Sequence, residues 1–385
     1  MLKTNRFFCF MLLTVVALGL PASGQAVEES AQPFLGTPAM EMATVFSNER
    51  FPNVVVTMKG TVIASFGNSN VRVRRSEDGG KTWGDEIMIA DPGFQGGGMT
   101  VDEQSGDILA FVEAHHPPAK LTVHRSSDDG KTWKPESTTL SPDSQGNLPS
   151  MHMNEHGITL RHGKHRGRLV RPSRWYAEKN DRSQWPFHYT NAIYSDDGGK
   201  SWQTSDPFPE NGTGEATLVE LADGRLYYNS RVHWQERPRN TRRRAAWSDD
   251  GGQTWKDWQV VEILPDGHQH RSYGCMGGLV RLPIHGKDIL VFSNLDTPKA
   301  TRERATVWAS LDGGKTWPVK RLVYDGKSGY SSLDAGRPGT PSEGWIFLHF
   351  EGGPKGASQV ARFNLSWLLD GEPTGDGKIE IDLER

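Results

Sequence analysis

Five copies of one short pattern place a carboxylate beside glycines and hydroxyls, a combination that could hold a metal ion. Each copy fits S-x-D-x-G-x-[ST]-W, and the copies begin at Ser76, Ser126, Ser195, Ser248 and Ser310. Calcium sites of the helix-loop-helix type need staggered oxygen ligands and a distal Glu, which this spacing does not supply. The pattern therefore favours a structural turn, in which Gly accepts positive φ and Asp caps backbone amides.

The sequence around each copy predicts the strands that the turn connects. Successive copies start 50, 69, 53 and 62 residues apart, and repeats of that length are typical of propellers or solenoids. A strand-like run precedes each copy, and a second hairpin usually lies upstream, as at residues 54–58 and 61–66 around Lys59-Gly60. Two hairpins per repeat make four strands, the content of one propeller blade. The sequence therefore predicts an all-β fold of four-stranded antiparallel sheets.

Composition excludes several classes of protein. The 385 residues carry a formal net charge of −3, which argues against nucleic acid as the main partner. With 13 Trp, 15 Phe and 8 Tyr the chain has enough core material to exclude a disordered protein. We find no metal-ligand cluster at reliable spacing, no phosphate loop and no nucleophile elbow, so no metal or cofactor is expected.

The N-terminus has the pattern of an export signal. Lys3 and Arg6 precede an apolar run at residues 7–20, and small residues follow at 21–24. The apolar run is too short to span a bilayer, so residues 1–24 are interpreted as a cleaved signal peptide. The mature protein is then expected in the periplasm or outside the cell, with no membrane span. Cys275 is its one remaining cysteine, which leaves no internal disulfide.

The repeated pattern is the Asp-box, and the chain resembles the sialidases, six-bladed propellers that cleave terminal sialic acids. Further matches are residues 154–158, which resemble a G-x-G-H-G-I motif, and residues 361–368, which resemble the closing A-R-F-x-L-x-W-L strand. The resemblance implies a six-bladed β-propeller with five Asp-boxes at residues 41–370. Residues 25–40 would be a linker, and residues 371–385 a C-terminal tail. The sixth blade, without a box, would close by pairing an N-terminal strand with C-terminal strands around residues 363–367.

The resemblance also implies three arginines that bind the carboxylate of the sugar, since guanidinium groups make planar, bidentate contacts with carboxylates. Arg50-Phe51-Pro52 resembles the family's R-[IL]-P, and Asn229-Ser230-Arg231 resembles N-x-R. Arg302 begins a segment similar to R-E-N-L-T-V. Arg304 lies two residues further on, on the same predicted strand face, and is the alternative to Arg302.

The implied nucleophile is Tyr330, in Gly329-Tyr330-Ser331-Ser332-Leu333, which resembles A-Y-S-D-L with Ser332 in place of Asp. A phenol has an ordinary pKa near 10 and needs a base. The family's base is matched by Glu215, sixteen residues before the second arginine, and Glu351 matches the residue that holds the first arginine. The implied reaction is a retaining exo-glycosidase reaction on glycans that end in sialic acid or a similar acidic sugar.

One part of the family pattern is missing. Sialidases place an acid/base Asp before the first Asp-box, whereas here no Asp lies between Arg50 and Asp78. His115 and His116 are candidate substitutes, since histidine titrates near neutral pH. Two alternatives to a sialidase remain open: a catalytically inactive propeller that binds acidic glycans, and a glycosidase for a different sugar.

Overall fold

The computed structural model describes residues 30–47, 50–176, 181–234, 240–266, 274–297 and 301–380. The regular secondary structure of the described chain is almost entirely β-strand, as predicted, and the strands pair antiparallel with their sequence neighbours in nearly all cases. The first strand, β1 (Met40–Phe46), pairs with none of the strands next to it in sequence.

Two four-stranded sheets follow β1. The first sheet comprises β2 (Asn53–Val56), β3 (Val62–Phe66), β4 (Val71–Ser76) and β5 (Ile87–Ala90). The second comprises β6 (Phe94–Val101), β7 (Ile108–Glu113), β8 (Leu121–Ser126) and β9 (Lys134–Glu136).

The third sheet has five strands and the fourth has four. The third comprises β10 (Thr139–Leu140), β11 (Ile158–Thr159), β12 (Leu169–Trp175), β13 (Tyr189–Ser195) and β14 (Ser201–Thr204). The fourth comprises β15 (Thr213–Glu220), β16 (Leu226–Val232), β17 (Arg242–Ser248) and β18 (Lys256–Pro265).

The remaining strands form one eight-stranded sheet. They are β19 (Leu279–Arg281), β20 (Leu290–Leu295), β21 (Glu303–Ser310), β22 (Val319–Ala335), β23 (Ile346–Gly352), β24 (Ser358–Phe363) and β25 (Glu372–Pro373), together with β1. The long β22 joins two halves of this sheet: residues 319–327 pair with β21, and residues 328–335 pair with β23. The second half ends with β1, which pairs with β24.

Contacts between strands of successive sheets complete a circuit. Strand β2 contacts β6, β6 contacts β11 and β12, and β12 contacts β15. Strand β15 contacts β19, β19 contacts β22, and β22 returns to β2. Side chains from distant parts of the sequence can therefore meet where these strands lie side by side.

In each of the five repeated turns, the Asp carboxylate accepts hydrogen bonds from residues of the same turn. In the first, Asp78 Oδ1 accepts from Ser76 Oγ at 2.8 Å and Thr82 N at 3.0 Å, and Oδ2 accepts from Thr82 Oγ1 at 2.6 Å. Equivalent bonds to the carboxylate recur at Asp128, Asp197, Asp250 and Asp312. The carboxylates are thus used by the turns, as the predicted structural role requires, and within the described ranges no cluster of His, Cys, Asp or Glu could hold a metal ion.

The tryptophan that ends each pattern packs between sheets. Trp202 lies in a buried cluster with Leu109 of the second sheet and Ile193 of the third. Trp317 packs with Tyr227 of the fourth sheet and Phe292 of the following strands. These side chains bury large apolar areas, so each repeated turn also anchors the contact between neighbouring sheets.

The C-terminal segment departs from the expected strand. Strand β24 ends at Phe363, and residues 365–369 form a short helix, α1 (Leu365–Leu369). Asn364 caps this helix by accepting a hydrogen bond from Trp367 N at 2.9 Å, which favours helix over continued strand. Part of the predicted tail also pairs, because β25 lies against β22. No helix in the described part of the chain is long and apolar enough to cross a membrane.

Candidate active site

The first predicted arginine, Arg50, is held by the predicted Glu351. Its Nε and Nη2 donate to the two carboxylate oxygens of Glu351 at 3.1 and 3.2 Å. The same carboxylate accepts from Phe51 N at 3.1 Å and from Tyr330 N at 3.2 Å. Glu351, on β23, therefore ties Arg50 to the strand that carries Tyr330.

Tyr330 and Glu215 lie together, although 115 residues separate them. Tyr330 Oη donates to Glu215 Oε1 at 3.3 Å. Both side chains are buried, with exposed fractions of 6% and 4%. Strands β22 and β15, which both contact β19, bring them together. This is the contact that a phenol and its base require.

The surroundings shift the pKa values of Tyr330 and Glu215 in opposite directions. Burial, followed by the negative charge of Glu215, raises the pKa of Tyr330 to about 12. Burial alone would raise the pKa of Glu215, but Arg231 and Arg174 keep it below its ordinary value. Glu215 is therefore a carboxylate at neutral pH and can accept the phenol proton.

The second and third predicted arginines surround the same pair. Arg231 has no exposed area, and its Nη1 donates to Glu215 Oε2. Arg302 Nη2 donates to Gly274 O at 2.8 Å, and its Cζ lies 4.9 Å from the centroid of the Tyr330 ring. Arg50 Cζ lies 5.1 Å from the same centroid. The three arginines, Tyr330 and Glu215 thus form one site.

The alternative arginine, Arg304, faces elsewhere. Its Nη1 donates to Asp325 Oδ1 at 2.8 Å, and its Nε donates to Asp296 O at 3.1 Å. The prediction that Arg302 and Arg304 share a strand face was wrong, because β21 begins at Glu303 and Arg304 has a positive φ of 65° within an irregular register. A β-bulge of this kind redirects the side chain.

The two candidate histidines occupy different environments. His115 is exposed, and its Nδ1 donates within the loop to His116 O at 2.9 Å. His116 is half-buried. The centroid of its ring lies 5.6 Å from that of Tyr176 and 5.8 Å from that of Phe94. Burial, followed by the charge of Arg174, lowers the pKa of His116 below its usual value. His116 is therefore uncharged at neutral pH.

The structure adds one residue that sequence reasoning missed and gives another its place. The polar sequence Arg174-Trp175-Tyr176 is typical of a pocket wall or rim, but it does not assign Arg174 a partner. Arg174 is fully buried, with Nη1 4.0 Å from Glu215 Oε1 and Nη2 3.0 Å from His233 Nδ1. His152, which nothing in the sequence marked, has its ring 4.5 Å from the His116 ring and Nδ1 4.0 Å from Glu113 Oε2.

The acid that is absent from the sequence is also absent from the corresponding turn. Strands β3 and β4 are joined by residues 67–70 alone, and Gly67 N donates to Arg50 O at 2.9 Å. This tight connection carries no carboxylic acid. The predicted signal peptide at residues 1–24 falls outside the described residues. So do residues 267–271, whose polar sequence is typical of a pocket rim.

Comparisons with known proteins match most of the chain. The BNR repeat-like domain matches residues 65–340. A sialidase of Micromonospora viridifaciens is 29% identical over 95% of this chain, which spans 61% of that relative's length.

Solved structures share the fold. The Hadza microbial sialidase Hz136 superposes with a TM-score of 0.64 at 24% identity, covering 83% of this chain and 66% of that one. The intramolecular trans-sialidase from Ruminococcus gnavus has a TM-score of 0.61 at 16% identity, covering 83% of this chain and 95% of that one. With the repeat-domain match across most of its length, the chain belongs to the sialidase superfamily of BNR-repeat proteins.

Proposed function

We propose that the protein is a retaining exo-glycosidase of sialidase type, acting on glycans that end in sialic acid or a related acidic sugar. The observation that carries this proposal is the hydrogen bond from Tyr330 Oη to Glu215 Oε1, surrounded by Arg50, Arg231 and Arg302. Three guanidinium groups around one buried phenol suit an anionic substrate, which a neutral nucleophile can approach without charge repulsion.

The proposed first step forms a bond from Tyr330 Oη to the anomeric carbon and breaks the bond from that carbon to the leaving oxygen. Glu215 takes the phenol proton as the bond forms, which the raised pKa of Tyr330 makes necessary. The arginines hold the substrate carboxylate. Water then attacks the same carbon and breaks its bond to Tyr330 Oη, Glu215 returns the proton to Tyr330, and the water's own proton passes to solvent. The two displacements retain configuration.

The leaving oxygen also needs a proton, and the turn at residues 67–70 offers none. His116 is the nearest of the predicted substitutes to the site, but as a neutral imidazole whose Nδ1 donates to Pro117 O at 3.0 Å it must first take up a proton. The proposed enzyme is therefore slow on poor leaving groups at neutral pH, and His116 assists more as the pH falls.

We further propose that the described sheets are the blades of a six-bladed propeller with five Asp-boxes. The division of β22 between β21 and β23 supports six four-stranded units, and the circuit of contacts between strands of successive sheets supports their arrangement about one axis. Export with removal of residues 1–24 is part of the same proposal, and N-terminal sequencing of the mature protein tests it.

A second candidate function is binding without catalysis. The observation that favours it is the acid-free turn between β3 and β4. A lectin of this kind would use the arginines but would have no chemical use for the Tyr330–Glu215 contact.

The test is incubation with aryl and natural sialosides, with mass spectrometry of the released sugar and of protein treated with a 3-fluorosialyl fluoride. We expect a covalent adduct on Tyr330, no adduct in Tyr330→Phe, and a roughly 10²- to 10⁴-fold slower reaction in Glu215→Gln. Tyr324→Phe, on the same strand, is the matched control and should behave like the wild type. Tight binding with neither turnover nor adduct would establish the lectin instead.

A further inference from the structure

A short segment at residues 154–156, just before β11, contacts both strands that carry the reacting pair. Asn154 Oδ1 accepts from Ala216 N at 2.9 Å, and Glu155 N donates to Ala216 O at 2.9 Å. Ala216 follows Glu215 directly on β15. The segment therefore holds the backbone on both sides of Ala216, the residue that follows the proposed base.

The same segment reaches β22 with its side chains. Ser332 Oγ donates to Glu155 Oε1, and His156 Nε2 lies 2.8 Å from Leu333 O. Ser332 is two residues after Tyr330 on β22, so this contact anchors the strand close to the proposed nucleophile. Glu155 has an exposed fraction of 1%, so this contact lies in the interior.

Ser332 also joins the strand that follows Arg50. Its Oγ accepts from Val54 N at 3.0 Å and from Asn53 Nδ2 at 3.2 Å. A hydroxyl that accepts two such bonds has its own proton available for the Glu155 carboxylate. One buried hydrogen-bonded group thus links β2, β15 and β22.

The charge of this group follows from its geometry. His156 Nδ1 lies 3.0 Å from Gly157 O and Nε2 lies 2.8 Å from Leu333 O. Carbonyl oxygens only accept, so both ring nitrogens carry protons and the ring is an imidazolium. Glu155 Oε1 lies 3.5 Å from Nε2, and burial raises the pKa of Glu155 to about 7, although the charge of His156 and the hydrogen bond from Ser332 oppose this. Burial would lower the pKa of His156, but Glu155 and Asp334 raise it above the usual value.

The two sequence departures from the family patterns meet at this contact. Residues 154–158 resemble G-x-G-H-G-I, in which position 155 is Gly, and residues 329–333 resemble A-Y-S-D-L, in which position 332 is Asp. Here position 155 is Glu and position 332 is Ser. The family patterns place the acidic residue of this pair at position 332, whereas this chain has it at position 155.

We propose that Glu155 is a positioning residue: through Ser332 it holds the strand of Tyr330 in register with the strand of Glu215, in place of a carboxylate at position 332. This inference concerns the same site and rests on the proposed function for its kinetic consequences. Arg50 is held by Glu351 and Arg302 by Gly274 O, so the contacts that bind the substrate carboxylate do not pass through Glu155.

The test is an exchange of the two residues. Glu155→Gly and Ser332→Asp are made singly and together, with Glu220→Gln as a control at a buried carboxylate that accepts from Arg161 N and His162 N. Each single variant should lower kcat for an aryl sialoside by roughly 10- to 100-fold with KM changed less than about threefold, the scale of a small misplacement of reacting groups. The double variant should recover to within about fivefold of wild type, and the control should be unaffected.

Crystal structures of the same proteins give a readout that is independent of turnover. We expect the Tyr330 Oη to Glu215 Oε1 distance, 3.3 Å in the wild type, to exceed about 3.5 Å in the single variants and to return in the double variant. An unchanged distance in Glu155→Gly, or a double variant no better than the singles, overturns the inference. If the distances in the variants change as expected but the wild-type protein shows neither turnover nor a covalent adduct, the proposed function is refuted and the positioning role of Glu155 is retained.

Discussion

Replacement of Arg231 by Met should destabilise the protein by leaving Glu215 as an uncompensated buried charge. Arg231 is fully buried and pairs with Glu215, whose exposed fraction is 4%. Breaking a buried pair by removing one partner costs about 3–5 kcal/mol. Arg174, whose Nη1 lies 4.0 Å from Glu215 Oε1, stays in place and compensates part of the charge, so the lower end of that range applies.

The corresponding change in melting temperature is measurable. Unfolding entropy scales to roughly 0.7 kcal/mol per degree for a domain of this size, so a loss of about 3 kcal/mol lowers Tm by about 4 °C. Met keeps most of the apolar volume of the arginine stem, which limits the contribution of lost packing. Thermal unfolding followed by tryptophan fluorescence provides the assay.

Two comparisons separate the charge effect from lost packing. In Arg231→Met/Glu215→Gln the buried carboxylate is removed as well, and Arg174 loses a partner only at 4.0 Å, so part of the lost stability should return. Removal of Arg231 also raises the pKa of the buried Glu215, because burial then dominates. A carboxyl whose folded-state pKa lies above its unfolded value destabilises the fold as pH rises through that interval, so the Tm deficit at pH 7.5 should shrink toward pH 4.5. A pH-independent deficit, or a double variant less stable than the single, would refute this reasoning.

Three further predictions test other parts of the structure. Arg50→Ala should weaken binding of a 2,3-didehydro sialic acid by roughly 2 kcal/mol, measured by calorimetry, whereas Arg125→Ala, beside a repeated turn, should leave it unchanged. If both weaken it equally, the carboxylate assignment is wrong. Asp250→Ala should lower the free energy of unfolding by about 1 kcal/mol and leave the affinity for the same ligand unchanged. The reason is that the Asp250 carboxylate accepts hydrogen bonds from residues of its own turn. A loss of ligand affinity at an unchanged Tm would contradict this prediction. Wild-type kcat/KM should favour a methylumbelliferyl sialoside over sialyllactose, and His116→Ala should lower only the sialyllactose rate, most clearly at acidic pH; equal rates on both substrates in both proteins would point to a different acid.

The local parts of this fold could be predicted because their determinants lie close together in sequence. Each repeated turn is closed by bonds between residues two to four apart, as between Asp78 and Thr82, so the pattern itself specifies the geometry. The capping Asn364 is an equally local signal for α1, but the resemblance to a closing strand outweighed it.

The parts that could not be predicted depend on contacts between distant elements. Arg174 reads as an ordinary charged residue until β12 and β15 are packed together beside Glu215. The orientation of Arg304 follows from a register irregularity between β21 and β22, which no spacing rule reveals. The resemblance indicated which residues form the site, but the arrangement of groups that support it emerged only from the structure.

The pairing of β1 with β24 constrains the order in which this chain can fold. Thr44 Oγ1 donates to Gln359 Oε1 at 3.0 Å across a separation of 315 residues. During synthesis the intervening sheets can form one after another from neighbouring strands, but β1 has no partner until β24 has left the ribosome. Until then β1 and the unpaired edge of β24's sheet are exposed to mispairing with other chains. Pairing of β1 with β24 is therefore a late step in folding, and deletion of residues 40–46 would leave the other sheets their strands while removing this contact.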